Sequence, residues 1–599
     1  MSNVSVTCVT ELKPSDFFSS PKSIITMSNT QGAVWPTYAD RKVGSTMTAE
    51  SVATVTKPAD VGLKREMGLI GATWASETSI IGSGWLFGAF GAAQFAGPAA
   101  LIGWVIGGVA VIILALVHAE LGAMYPVAGG TARFPHFSFG SVAGISFGFF
   151  SWLQAVTVAP IECFAVMQYS SYYWPSLYDP TKKVTTGTGF IVTILLMAVF
   201  TGVNFLAMRL FTKVNSAITW WKVAIPVLAI IVLLFKFHPA NFSAGGGFMP
   251  NGLKSVFAAV PSAGIVFAYL GFEQADQLAG EIKDPGRNLP RAIIYAVLIG
   301  TTIYVLLQLA FIGATPSSLL HHGFAGISAT SPIAIGPFAG LAGLVGLGWL
   351  ATLLRIDAMI SPFGTGLIYQ TSTSRVGYGL ARNRYYPQIF AKTDKNGVPW
   401  FSLIMAFLFG LLFLLPFPSW KSLVGLVTGA SVLMYAGAPL SLAALRGQVA
   451  DAPRPYRLPG AVWVAPLAFV VANLIIYWSG IQVLWKLGVC IVIGYVLIGV
   501  AMAFDKQRPP LDWKSAQWLP VYLIGMGIIS WLGQYDGGSD SKPLATLHLH
   551  FGIDMLVVAV FSLIIFYWAQ AVKLPTEETV ALVERQSQHD DEAARPPRH

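Results

Sequence analysis

Two glycine-bearing runs interrupt long apolar stretches of this chain: Ile80-Ile81-Gly82-Ser83-Gly84, and Phe267-Ala268-Tyr269-Leu270-Gly271. A helix that breaks inside a membrane exposes backbone N–H groups at the start of its second half and carbonyls at the end of its first. The N–H groups suit an anion and the carbonyls a cation. That is the chemistry needed to grip an amino acid by its carboxylate and its ammonium. Any one of these glycines could equally serve close helix packing. Two breaks, in the first and sixth apolar segments, point instead to a substrate site in a transporter built as an inverted repeat. The carboxylate would bind N–H groups around Ser83 and Gly84, and the ammonium would bind carbonyls near Ile80, Ile81 and Phe267.

Ionisable side chains inside apolar segments come next. Each costs a few kcal/mol in lipid, so it faces the protein interior and has a task. Lys222 follows Asn215 and Thr219 in the fifth segment; Asp357 and Ser361 lie one turn apart on one face of the eighth. Asp357 could accept a proton from Lys222 or pair with it permanently. Arg355 is two positions from Asp357 and points nearly opposite. It could bind a substrate's side-chain carboxylate bidentately, neutralise Glu162 of the third segment, or meet lipid headgroups. Glu77 is either a partner of Lys222 or faces an inner vestibule. Glu273 could cap the N–H groups of a second half-helix. Arg133, His136 and Glu120 read as inner-gate or orientation residues, and Glu281, Lys283, Asp284, Arg287 and Arg291 as an ion-pair network. His321 and His322, adjacent in a loop, are a weak metal signal and read as solvated.

The elements that must position these groups follow from composition. Of 599 residues, 54% are hydrophobic and 11% charged, which marks a polytopic membrane protein. About 14 apolar segments have roughly the 18–30 residues needed to cross the hydrocarbon. They fall near 67–91, 97–123, 139–166, 188–207, 215–236, 256–279, 291–313, 341–370, 399–416, 422–446, 459–481, 484–504, 516–533 and 549–571. Basic residues concentrate in alternate loops, which places both termini in the cytoplasm; the expected location is the inner membrane. The net charge of +9 therefore requires no nucleic acid. Cys8, Cys163 and Cys490 form no disulfide framework.

The expected fold is all-α, a five-plus-five inverted-repeat core of the LeuT-like kind with about four extra C-terminal membrane helices. The expected organisation is a disordered extension (1–62), a transport core (63–450), C-terminal helices (451–574) and a polar tail (575–599). Residues 1–62 lack the apolar run of a signal peptide, and Met27 and Met47 could equally serve as translation starts.

Four motifs give the chain a resemblance to the amino acid–polyamine–organocation permeases. They are Ile80 to Gly84; Ala119-Glu120-Leu121-Gly122 through Tyr125-Pro126 to Gly129-Gly130; Phe267 to Glu273 with Gly280 to Pro290; and Ser374-Arg375 with Leu380 to Asn383. A narrower likeness is to the aspartate–proton symporter branch. It is carried by Gly346 to Leu353, Asp357-Ala358, Ser361-Pro362, Leu415 to Trp420 and Tyr477 to Gly480. Arg355 and Glu77 depart from that pattern. The resemblance implies that the Lys222 ammonium takes the place of the cation held by sodium-coupled relatives, against the carbonyls of the first break. Its deprotonation would then loosen the helix bundle, the alternative being a static charge that holds the helices together. A buried ammonium sheds its proton more readily than one in water. The resemblance also implies that Glu273 links protonation to gating and that Phe267 closes over substrate, with Tyr269 and Gly271 beside it.

The resulting expectation is a secondary active transporter, not an enzyme, that takes up an amino acid such as aspartate or glutamate with protons. Its rivals are an amino-acid exchanger, a permease for neutral amino acids, and a non-transporting receptor or complex subunit. No Walker-type loop, no metal-ligand cluster and no cofactor motif is evident. The expected partners are the amino acid, protons and the lipid bilayer.

Overall fold

The computed structural model describes residues 67–125, 130–205, 208–277, 279, 282–394, 397–416, 419–505, 508–535 and 549–584, with no side chains given for 206–217. The expectations on 1–62, Pro126–Gly129, the side chain of Asn215, Gly280, Glu281, Phe417, Pro418 and the tail beyond 584 lie outside the described residues.

The protein is an all-α polytopic membrane protein, apart from two-residue strands at Tyr178–Asp179 and Val184–Thr185 that pair in a loop. The first segment divides into α1 (Leu69–Ile80) and α2 (Ser83–Ala96), followed by α3 (Ala100–Met124) and α4 (Gly130–Ser170). Then come α5 (Gly187–Phe205) and α6 (Met208–Leu234). The sixth segment breaks into α7 (Gly252–Ser262), the turn α8 (Ile265–Ala268) and the turn α9 (Gln274–Gln277). The chain continues through α10 (Pro285–Ala314), α11 (Pro337–Leu344), α12 (Gly348–Arg382), α13 (Trp400–Leu414) and α14 (Trp420–Gln448). It closes with α15 (Ala461–Trp478), α16 (Ile481–Ala503), α17 (Trp518–Leu532) and α18 (Ile553–Val572).

Among the described residues, nine helical stretches are long and apolar enough to cross a membrane. The 35-residue α12 is not one of them, because Asp357, Ser361, Thr365, Gln370 and a run of Ser and Thr make it too polar. It is buried along the faces that carry those groups. The eighth segment accordingly starts later and runs further than the apolar run at 341–370 implies. The helices sort into layers by what they must hide. The apolar windows of α4 and α14 are buried on all sides, packed against each other at the centre. In contrast α5, α16 and α18 keep Ile191, Leu195, Val492, Val496, Leu556 and Ile564 exposed. Apolar side chains facing outward suit lipid, and the helices satisfy their own backbone there.

Both breaks lie where the glycine runs occur, with differences in register. The first lies at Ile81 (φ −83°, ψ 86°) and Gly82 (φ −121°, ψ −139°), so that Ser83 and Gly84 already open α2. The sixth segment breaks twice: at Gly264, which is left-handed (φ 88°), and again across Tyr269–Glu273, where Gly271 has φ 120°. The two broken helices face each other. A Cβ on Gly84 would stand 2.7 Å from Ala268 Cα, and one on Gly271 would stand 2.6 Å from Ser79 Cβ. Only glycine at both positions allows this approach. The Ser76 hydroxyl crosses between them to the Phe272 carbonyl (3.2 Å).

Candidate functional site

The last helical bond of α1 runs from Ile81 N–H to Glu77 O (2.9 Å). The carbonyls of Thr78, Ser79 and Ile80 are left without a helical partner, and donors reach Thr78 and Ile80. Lys222 Nζ donates to Thr78 O (2.6 Å) and to Thr365 Oγ1 (2.7 Å). Ile80 O accepts from the Tyr304 hydroxyl (2.9 Å) and from Gly82 N–H (3.0 Å). The Lys222 side chain is fully buried, and an ammonium at a helix C-terminus meets the negative end of its dipole. Thr219, one turn before Lys222, pairs its hydroxyl with that of Thr78, tying α6 to α1 a second time.

The start of α2 has the opposite need, free N–H groups at the positive end of a dipole. Here the group that meets it is Glu162 of α4. Ser83 N–H donates to Glu162 Oε2 (2.9 Å) and Ser83 Oγ to Glu162 Oε1 (3.0 Å). Trp420 Nε1 in turn donates to Ser83 Oγ (2.8 Å). Sequence reasoning considered Glu162 only as a counter-charge for Arg355. Its signal was being the one acidic residue in the third apolar segment.

Ser79, Ile80, Gly82, Gly84, Val158, Glu162, Phe267, Leu270, Thr365 and Tyr369 enclose a cavity of about 10 Å³, room for one water. Four expected substrate contacts, Ile80, Gly82, Gly84 and Phe267, are in that wall, and Ser83 reaches it through Glu162. Ile81 is buried in the break itself. Tyr269 turns away: its hydroxyl donates to Trp104 O (3.0 Å) and its ring packs on Trp104 and Tyr304. Arg355 is not in the wall either. Its guanidinium lies 3.6 Å from the centre of the Tyr172 ring, beyond the end of α4.

The remaining acidic groups form separate arrangements. Asp357 Oδ1 accepts from Trp221 Nε1 and Ser361 Oγ, both at 2.9 Å, while Oδ2 has no partner. Lys222 gives its two hydrogen bonds elsewhere, so Asp357 is its neighbour and not its direct partner. Glu77 is buried with both carboxylate oxygens unbonded. Glu273 does cap its own break: Gly271 N–H donates to Oε2 (2.9 Å), joined by Tyr435 OH (2.6 Å) and, on Oε1, Tyr369 OH (3.4 Å). Because Tyr369 also lines the cavity, Glu273 is one side chain removed from it.

The faces above and below the cavity differ. On one side Trp420 packs against Phe267 (ring centres 5.8 Å apart, edge to face) and Phe87 (4.8 Å). Beyond this aromatic cluster opens a vestibule of about 470 Å³, lined by Gln94, Gln168, Lys183 and Lys421 among others. On the other side the protein is latched. Glu120, wholly buried, accepts Arg446 Nε (3.0 Å) and Nη2 (2.6 Å) and Leu458 N–H (2.7 Å), with Arg454 Nε at 3.4 Å. Lys283 N–H donates to Met67 O (2.8 Å), and the Tyr385 hydroxyl meets His136 Nδ1 (2.6 Å). The break therefore has an ammonium pole and a carboxylate pole, both filled by the protein's own side chains, and the aromatic cluster separates it from the vestibule. Among the described residues no group of three or more His, Cys, Asp or Glu could hold a metal ion.

Comparison with known proteins gives the family. Residues 67–502 match the family model described as amino acid permease. The chain is 38% identical to the glutamate/serine transporter AimA of Bacillus subtilis, over 86% of this chain and 95% of the relative. It is also 38% identical to an aspartate-proton symporter of that organism, over 83% and 94%. At 25% identity it matches a branched-chain amino acid permease, BcaP, over 73% and 92%. With a broken first helix that offers a cation site and an anion site, and a family match across most of its length, the chain belongs to the amino acid permeases.

Proposed function

We propose that this protein is a proton-coupled symporter of the inner membrane that takes up an acidic amino acid such as aspartate or glutamate. The observation that carries the reading is the first break, where Lys222 seats on Thr78 O and the Ser83 N–H receives a carboxylate. The same break thus has one pole for an ammonium and one for a carboxylate. The names of the two relatives at 38% identity support acidic substrates and, for one of them, protons. In this reading residues 63–450 form the five-plus-five inverted repeat, 451–574 supply four further helices, and both termini are cytoplasmic. The vestibule then opens outward and the Glu120 latch closes the inner side.

Transport follows from states that bind the ligands unequally. The amino acid enters past Phe87 and Trp420, Phe267 closes over it, and the Glu120 latch opens. Lys222 belongs to the coupling machinery, because its ammonium holds α1, α6 and α12 together through Thr78 O and Thr365 Oγ1. Glu273 gates through Tyr369 and Tyr435, and Asp357 with Ser361 keeps α12 in register beside Lys222. A second reading is a broader range that includes small neutral amino acids. It is favoured by the name of the glutamate/serine relative and by the position of Arg355 outside the cavity wall.

The test is uptake of labelled aspartate into proteoliposomes with and without an inward proton gradient, against unlabelled competitors. Gradient-driven accumulation blocked mainly by acidic amino acids is expected. Uptake that ignores the gradient but needs internal amino acid would make the protein an exchanger, and equal competition by serine would establish the broader range.

A further inference from the structure

The pole that the transport reading gives to the substrate's α-carboxylate is already occupied. Glu162 fills it with both oxygens, one on Ser83 N–H and one on Ser83 Oγ. At the other pole Lys222 Nζ sits on Thr78 O. The break thus holds an ammonium and a carboxylate, the two groups an amino acid would bring, and both belong to the protein. Resting on that reading, we propose that Glu162 is the residue on which substrate binding and proton binding are linked. Its carboxylate is an internal stand-in that must take a proton and withdraw before the substrate's carboxylate can bind Ser83.

The physical argument is one of occupancy and charge. Two carboxylates cannot share one N–H and one hydroxyl in a space with room for a single water. An ionised Glu162 that left Ser83 would give up both of its hydrogen bonds while still buried, and an unpaired buried charge costs several kcal/mol. Neutralised, it can leave. The step is Glu162–COO⁻ plus one proton from the vestibule-side water giving Glu162–COOH. The hydrogen bonds of Ser83 N–H and Oγ pass to the substrate carboxylate, and no other bond changes. Release of substrate on the far side returns Glu162 to Ser83 as the anion and frees the proton there.

The surroundings fit a titrating group. Glu162 Oε1 and Thr365 Oγ1 each lie 2.9 Å from the point where a Cβ on Gly82 would stand. Thr365 is therefore the side chain between Glu162 and Lys222, which donates to it. The ionisable groups around Glu162 are Cys163 on its own helix, Lys222 on α6, Tyr369 on α12 and Tyr304 on α10, and Asp357 of α12 neighbours Lys222. Glu77, Glu273 and Tyr435 lie behind Tyr304 and Tyr369. Of these, Lys222 is the cation, and it reaches the Glu162 side through Thr365.

The test is binding of labelled aspartate and of labelled serine to the purified full-length protein in nanodiscs, without a gradient, between about pH 5 and about pH 8. For wild type the apparent Kd should rise with pH, approaching ~10-fold per unit for one linked proton. Glu162→Gln should hold its Kd within ~2-fold over that range, and should keep counterflow while losing gradient-driven accumulation. Glu162→Asp, too short to span both Ser83 donors but still able to titrate, should keep the pH dependence and bind more tightly at the alkaline end. A Glu162→Gln protein that retains the wild-type pH dependence overturns the proposal. So does a folded Glu162→Gln that binds at no pH, since the carboxylate would then be a substrate ligand. Failure of wild type to bind any amino acid would instead remove the transport reading itself.

Discussion

Replacing Lys222 by methionine separates fold from coupling. The side chain keeps its length but loses its charge, so Thr78 O and Thr365 Oγ1 lose donors at 2.6 and 2.7 Å. Thr365 can turn to Ser361 O or Thr78 O, at 3.3 and 3.4 Å, which leaves about one buried carbonyl poorly satisfied. Such a group costs about 1–3 kcal/mol. Against this, the protein no longer buries an ammonium, and apolar replacements of buried charges are often neutral or stabilising. The net change in stability is therefore small, and the variant should purify and melt within a few degrees of wild type. Transport should change completely. One pH unit across the membrane is worth about 1.4 kcal/mol per proton, and so drives about a tenfold accumulation of a substrate carried with it. Without Lys222 the break has no cation opposite Glu162, and the tie between α1 and α12 no longer responds to a proton. Proteoliposomes of the variant should equilibrate labelled aspartate at a ratio near one under that gradient, while counterflow continues. Accumulation at the wild-type ratio would refute the reasoning for Lys222 and with it the role of the first break in coupling.

Gly271→Ala should be poorly tolerated, because φ 120° is strained for any side chain and the new methyl would stand 2.6–2.8 Å from Ser79 and the Ile80 nitrogen. Strain of about 1–3 kcal/mol plus overpacking of similar size should lower the detergent melting temperature and abolish uptake; unchanged melting would show that the two breaks do not press together. Glu120→Ala strands Arg446 and the largely buried Arg454 without their anion. It should lose about 3–5 kcal/mol, read as a lower melting midpoint, and wild-type melting would mean that the latch is not a stabilising contact. Arg355→Ala should leave the ratio of aspartate to serine competition unchanged, since the guanidinium stacks on Tyr172 and not on the cavity. A selective loss of acidic substrates would bring Arg355 back into the binding site.

Much of this protein is readable along the chain because a bilayer imposes simple rules. Continuous apolar runs of membrane-spanning length become helices, since a helix satisfies its backbone within the one segment, and α3, α10, α14 and α15 fall close to the runs that announce them. Glycine runs inside two such segments signal breaks, and breaks carry unpaired carbonyls and N–H groups as a local property of helix ends. Asp357, Ser361, Thr365 and Tyr369, spaced every fourth residue, form a polar stripe that also marks the inward face of α12. Thr365 and Tyr369 were there to be read in it. What the chain could not disclose is which distant group completes each unpaired end. Glu162 lies 79 residues from Ser83 and Lys222 lies 144 from Thr78, and no local spacing joins them. Asp357 is near Lys222 but bonded to Trp221 and Ser361, and Arg355 is drawn off by an aromatic ring, outcomes set by how α4, α6 and α12 turn against one another. The sequence alone determines where the helices must open; only their packing decides that the protein's own ammonium and carboxylate fill the opening, because both need a partner in a place without water.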